Sequence, residues 1–381
     1  MAFILNEDQK SLIDMIDKFL SKELDPIAEE YDVKSELPMD VLDQAAEMGL
    51  HMLHVPEEMG GMGLDSMTVY AIEELMGSHD AAVSYTLLNT GSMMELILML
   101  GTDEQKNKYS KIVQAGGMLG FCLTETTGSS DAVNMHTTAV KEDGSYILNG
   151  NKIFTTSGEI AKAFVVFAVT DKTKGPRGIS CFLVDADNPG LSVGKHEKKL
   201  GMRMSPTNEI IFQDCAVPAA AMLGPEGMGF ITAMSGLDIG RLTTSAIALG
   251  IARRALSETV KYTNTRILAG KPIYKNQYVA YTLAGYSARL DAGEALLQNA
   301  VQLQNKGISI NKIAAECKLL CTDLAAELSS TAVQYFGGYG VCEDYPVEKL
   351  YRDAKILQIV EGANEVQRLV ISRALEKEFT K

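Results

Sequence analysis

A single carboxylate, Glu361, stands in Gln358-Ile-Val-Glu-Gly-Ala-Asn364, between two stretches with helical spacing. Residues 345–368 read as a helix, a short break and a second helix, with Gly362 following the acid at the break. A carboxylate placed there has two readings. It can face the positive end of the helix that follows. It can also accept a proton, but a carboxylate is a weak base in water, so a basic Glu361 requires a site that excludes water. Asp238 and Arg241, one helical turn apart, read by themselves as a surface ion pair.

Other chemistries find less support. The six cysteines are scattered, and only Cys317 and Cys321 lie close, four apart on an expected helix. No histidine or further cysteine completes a ligand set, so no metal is expected and the thiols read as free and buried. His51 and His54 read as sharing a helical face, with no downstream partner to complete a site. Gly227-Met-Gly229 lacks the preceding strand and following acid of a dinucleotide fingerprint.

The elements that must position Glu361 follow from the wider pattern. The chain has 381 residues, and 35 basic against 49 acidic side chains give a net charge of −14. That balance argues against nucleic acid as the main partner. No run of about 18 apolar residues suggests a membrane span. The first residues resemble neither a secretory signal nor a transit peptide, so a cytoplasmic location is expected. Asn6 can cap a first helix, and Leu12, Ile16 and Phe19 follow at helical spacing. From about Leu119 to Leu223 the period becomes strand-like, as in residues 164–169, 179–184 and 209–212. Asn149-Gly150 signals a hairpin, and Asp143-Gly144 another turn. From about Gly227 onward the pattern is helical again. The expected fold class is α+β: helices, a β unit, then helices.

The block from Tyr345 to Arg368, with Gln334-Tyr-Phe-Gly-Gly-Tyr-Gly340 upstream, resembles the C-terminal signature of the acyl-CoA dehydrogenase family. Pro56-Glu-Glu-Met-Gly-Gly-Met-Gly63 is similar to its N-terminal glycine loop. Leu123-Thr-Glu-Thr-Thr-Gly-Ser-Ser-Asp131 and Asn149-Gly-Asn-Lys-Ile-Phe-Thr-Thr-Ser157 are similar to its flavin loop and second flavin strand. Gly201-Met-Arg-Met-Ser205 and Phe212-Gln-Asp-Cys-Ala-Val-Pro218 match the end of its β domain. Leu237-Asp-Ile-Gly-Arg241 and Arg266-Ile-Leu-Ala-Gly-Lys-Pro-Ile273 match its third domain. The resemblance spans nearly the whole chain. It implies an N-terminal α-helical domain over 1–117, a central β-barrel-like domain over 118–226 and a C-terminal four-helix-bundle domain over 227–381. It also implies FAD and a homotetramer built as a dimer of dimers.

Site roles carry over by matched position. Glu361 would be the catalytic base, taking the α-proton of an acyl-CoA thioester while hydride passes to flavin N5. Phe121, Leu123 and Thr124 should meet the flavin edge, Phe154 should pack on it in place of the usual Trp, and Thr156 should bond its N5. Ser129 corresponds to a cofactor-binding position, and Ser130 to a serine near cofactor or substrate phosphate. Asp238, Arg241 and Gly362 correspond to substrate contacts. Arg266, Gln277, Gln334, Gly337 and Gly338 correspond to positions that grip FAD across a subunit boundary, and Ala363 and Glu365 to its phosphate arm. Thr126 replaces a usual Pro in the flavin loop, which loosens it. The implied activity is FAD-dependent acyl-CoA dehydrogenation, or the reverse enoyl-CoA reduction, with an electron-transferring flavoprotein as redox partner. An acyl-CoA oxidase and a flavin-free acyl-CoA-binding protein are the alternatives. The acyl group is not legible from these residues.

Overall fold

The computed structural model describes residues 3–128 and 130–380. Six helices come first: α1 (Glu7–Glu23), α2 (Ala28–Lys34), α3 (Met39–Glu47), α4 (Ser66–His79), α5 (Ala81–Leu100) and α6 (Asp103–Gln114). Seven strands follow: β1 (Met118–Cys122), β2 (Thr138–Glu142), β3 (Ser145–Thr156), β4 (Ala161–Val169), β5 (Ile179–Asp185), β6 (Leu191–His196) and β7 (Thr207–Pro218). Then come α7 (Gly229–Thr265), a ribbon of β8 (Ile267–Leu268) and β9 (Lys271–Pro272), α8 (Gln277–Asn305), α9 (Asn311–Phe336), α10 (Val347–Leu357) and α11 (Asn364–Phe379). The order is the expected α+β one. Local chemistry sets several boundaries: Asn6 with Gln9, and Thr102 with Gln105, form reciprocal capping boxes on α1 and α6.

The central sheet differs from a barrel. Its strand order is β1-β4-β2-β3-β7-β6, with β5 also on β4. One edge of β4 is covered by β5, while β1 and then β2 share the other. The sheet therefore branches at β4 and stays open. The hairpin expected at Asn149-Gly150 is also absent, because β3 runs straight through it. The pairing of β3 with β7 slips between Leu148 and Gly150, a bulge that bends the strand instead of reversing it. A Cβ at Gly150 would stand 2.5 Å from the Thr137 hydroxyl, so close approach is what requires glycine there. The actual reversal is at Asp143-Gly144, with φ of 44° and 82°, joining β2 to β3 in the two-residue hairpin that such residues favour.

The C-terminal helices α7 to α10 pack together, with α11 laid against α9. Their core is continuous with that of the first helices through α4 and α7. By length and composition α5 could cross a membrane, but 72% of its most apolar window is buried inside the protein. His51 and His54 lie in the turns after α3, not on a helix. Each is buried against its own partner, His51 on the Val113 carbonyl (2.7 Å) and His54 on Glu73 (2.7 Å).

One buried polar cluster fixes α5 relative to the C-terminal helices. Asp80 accepts from the Ala82 and Val83 amides (2.8 and 2.9 Å), capping α5. The Lys349 ammonium on α10 bridges Asp80 (2.6 Å) and Asp353 (2.5 Å), and Asp353 accepts from the Met202 amide of the β unit. Arg352 adds a bond to buried Asp32 (2.8 Å). The Arg352-Asp353 pair in the C-terminal signature is thus a structural tie among all three parts of the chain.

Candidate active site

Glu361 occupies the turn between α10 and α11 with φ of 53°, and Gly362 follows at 87°. A left-handed conformation costs a non-glycine residue about 1–2 kcal/mol, so the surroundings must hold it. They do so through the backbone. The Gln367 amide donates to the Glu361 and Gly362 carbonyls (3.2 and 2.7 Å). The Lys318 ammonium, fully buried on α9, donates to the Gly362 carbonyl (2.9 Å) and to Asn364 (2.8 Å). Burial pushes the Lys318 pKa down to about 7; nearby Glu361 opposes this and Arg241 adds to it.

The side chain of Glu361 is held separately. The Tyr85 hydroxyl on α5 donates to its Oε1 at 2.8 Å. Its Oε2 faces Gly240 on α7, where a Cβ would lie only 2.7 Å away. Burial raises the Glu361 pKa, and the Tyr85 hydrogen bond, the Arg241 guanidinium and the Lys318 ammonium each pull it back. A raised pKa in a carboxylate is what proton abstraction near neutral pH requires. Among the described residues, the Glu361 N–H meets no hydrogen-bond acceptor, so it remains free to donate.

The carboxylate opens on a narrow cleft. Helix α5 supplies Tyr85, Asn89, Ser92 and Met93, and α7 supplies Gly236, Gly240 and Thr243. Both sets recur at helical spacing, so each is one face of its helix. Phe121 from β1 completes the wall. Asp238 and Arg241 form a pair at 2.6 Å beside this cleft, and Asn311 donates to Asp238 (3.2 Å). Arg241 is buried, and its Nε has no partner among the described residues.

Phe121 links the cleft to the expected flavin residues. The loop after β1 is sewn to β3: the Thr124 carbonyl accepts from the Ile153 amide (2.8 Å), and the buried Lys152 ammonium donates to the Leu123 carbonyl (3.2 Å). Lys152 also pairs with Glu125 (2.8 Å), whose carboxylate accepts from the His136 and Thr137 amides. This staple constrains the loop that loses its proline at Thr126. Phe154 sits at a second bulge of β3 with φ of 57°, and its ring is 58% exposed, while Thr156 ends the same strand half-buried. Thr124 is half-buried and Phe154 turns outward. Ser130 is exposed, and Ser129 lies outside the described residues. Ala363 is the N-cap of α11, and Glu365 is exposed on its first turn.

Arg266, Gln277, Gln334, Gly337 and Gly338 gather elsewhere. All five are exposed, at the far ends of α7 and α9 and the start of α8. Arg266 lies over the Tyr339 ring (6.0 Å), and open space stands over Gly337 and Gly338. Along α7, Arg266 is roughly 37 Å from Arg241 at 1.5 Å per residue. In one chain these residues and the Glu361 cleft are two separate places.

Sequence reasoning missed Tyr85, Asn89, Ser92, Thr243 and Lys318. For the first four the signal available was the recurrence of polar residues along α5 and α7 at one-face spacing; Lys318, on α9, carried no such signal.

Known proteins share this fold over nearly the whole chain. Models of the acyl-CoA dehydrogenase N-terminal, middle and C-terminal domains match residues 6–117, 120–215 and 227–376. Butyryl-CoA dehydrogenase from Megasphaera elsdenii superposes with a TM-score of 0.95 at 39% identity, over 98% of this chain and 100% of that one. A chain in the structure of the electron transferring flavoprotein of Acidaminococcus fermentans, solved towards a mechanism of flavin-based electron bifurcation, does so with a TM-score of 0.95 at 42% identity, over 98% and 99%. Acryloyl-CoA reductase (NADH) of Anaerotignum propionicum is 39% identical over 99% of this chain and 96% of its own length. The chain belongs to the acyl-CoA dehydrogenase family of oxidoreductases.

Proposed function

We propose that this protein is an FAD-dependent dehydrogenase of short acyl-CoA thioesters, with Glu361 as the α-proton base, and that the same site runs in reverse as an enoyl-CoA reductase. The observation that carries the reading is the half-buried Glu361 carboxylate in a small cleft that Phe121, on the strand leading into the Leu123-Thr124 loop, also lines. FAD, when bound, supplies the acceptor for the β-hydride. Glu361 takes the α-proton, and its free N–H donates to the thioester carbonyl as charge develops there. Arg241 and Asp238 flank the entry as substrate contacts. Thr124, Phe154 and Thr156 orient the flavin, and Arg266, Gln277, Gln334, Gly337 and Gly338 of a second copy grip its far end, which fits a homotetramer. Three domains with seams near residues 117 and 226, a cytoplasmic location and electron exchange with an electron-transferring flavoprotein complete the proposal.

The test is an anaerobic absorbance titration of the purified protein with thioesters of graded chain length. Bleaching of the flavin band by butyryl-CoA, with weaker response to octanoyl-CoA, is the expected result. A flavin reduced only by long acyl chains would overturn the substrate reading. A colourless protein that cannot be reconstituted with FAD would favour an acyl-CoA-binding role, and rapid peroxide formation in air would favour an oxidase.

The Lys152–Glu125 staple yields a separate expectation. Lys152→Met leaves Glu125 buried without its cation, which costs about 3–5 kcal/mol. The variant should melt at lower temperature and lose FAD on gel filtration. Full flavin retention with unchanged melting would show that the staple does not hold the loop.

A further inference from the structure

Tyr85 does not belong to any motif that resembles the family, yet it makes the one side-chain hydrogen bond to the Glu361 carboxylate (2.8 Å) among the described residues. Its ring is 8% exposed, and its hydroxyl reaches Glu361 from α5, an element 276 residues away in sequence. The start of that helix is anchored by Asp80, which also takes Lys349 from α10, the helix leading into the Glu361 turn. The donor and the base are thus tied to one buried cluster, and the phenol approaches along a fixed line. Tyr85 also lines the cleft, so the same hydroxyl lies beside the space where the acyl group must sit.

We propose that Tyr85 is a positioning residue of this reaction: its phenol holds the Glu361 carboxylate against Gly240 and sets how readily that carboxylate exchanges a proton with the substrate α-carbon. The proposal rests on Glu361 being the base. A hydroxyl can donate to a carboxylate more strongly than to the protonated acid, so the bond favours the charged form. The other charged groups acting on Glu361 are Arg241, paired with Asp238 on α7, and Lys318 on α9, while Asp323 on α9 and Glu365 on α11 act on Lys318 in turn. Arg241 and Lys318 also favour the charged form, while burial opposes it. Tyr85 differs from both cations in bonding the carboxylate directly, so it governs direction as well as charge. Nothing else in the described structure bonds either carboxylate oxygen.

The two directions of the reaction make the proposal testable. Dehydrogenation needs Glu361 ionised, so its rate rises with pH through the Glu361 pKa. Reduction of an enoyl-CoA needs Glu361 protonated, so its rate falls through the same pKa. Removing the phenol donor raises that pKa, so both limbs must move to higher pH together. In Tyr85→Phe holoenzyme, the acid limb of kcat/KM for butyryl-CoA and the basic limb for crotonyl-CoA with reduced dye should each shift up by about one pH unit, a tenfold change in the proton affinity of the base. Loss of a packing contact alone would lower rates at every pH and leave the limbs in place. If Tyr85→Phe does not accumulate as folded holoenzyme, Tyr85→Met, which also lacks the donor, is read in the same way. Limbs at the wild-type position in a folded variant overturn the proposal. Glu361→Gln run in parallel separates the two failures: if it keeps turnover, the base assignment falls, and if it is inactive while the Tyr85 limbs stay put, only the Tyr85 role falls.

Discussion

Glu361→Gln is expected to lower turnover by roughly a thousandfold or more while leaving the flavin bound, because the amide cannot accept the α-proton and general-base contributions reach roughly 10²–10⁴-fold. The substitution keeps the side-chain shape, and its amide oxygen can still accept from Tyr85, so the cleft geometry survives. The turn is held by Gln367 and Lys318 through backbone carbonyls, which the change does not touch. Rapid mixing with butyryl-CoA under anaerobic conditions should show thioester binding but no bleaching. Turnover within about tenfold of wild type would mean that another group takes the proton.

The second large effect is expected from Gly240→Ala. Helix interiors favour alanine over glycine by about 0.5–1 kcal/mol, so α7 itself should not suffer. The new methyl would nonetheless stand 2.7 Å from Glu361 Oε2 and 2.8 Å from its carboxyl carbon. Those atoms are the end of a side chain, so the fold can accommodate the methyl by moving the carboxylate out of place. A displacement of about 1 Å at a reacting group can cost roughly 100-fold, which is the loss expected in kcat/KM. Melting temperature should hold or rise slightly. An alanine variant with wild-type kcat/KM would show that the position of Oε2 against α7 does not matter to the chemistry.

What the sequence by itself determined was local. The Glu361-Gly362 break was legible because two helical patterns stop on either side of a glycine, and the left-handed backbone there follows from that interruption. The helix–strand–helix order was legible because the apolar period changes near residues 118 and 227. Asp143-Gly144 was legible as a turn because its residue types suit that conformation at little steric cost. Asn149-Gly150 carried a similar signal and formed no turn, because pairing of β3 with β7 on both sides of it outweighed it.

The tertiary structure decided what faces Glu361. Periodicity says that Tyr85, Asn89 and Ser92 share a face of α5, but not which element that face meets, since that depends on how the helix rotates in the packed core. The Asp80–Lys349–Asp353 cluster and the burial of α5 set that rotation, and only then does Tyr85 reach a residue far along the chain. Packing likewise stretched α7 so that Arg241 and Arg266 serve different places, and gave β4 three partners so that the sheet stayed open. Pairings between distant segments arise from summed burial and shape fit across the whole molecule, and no window of local sequence contains that sum.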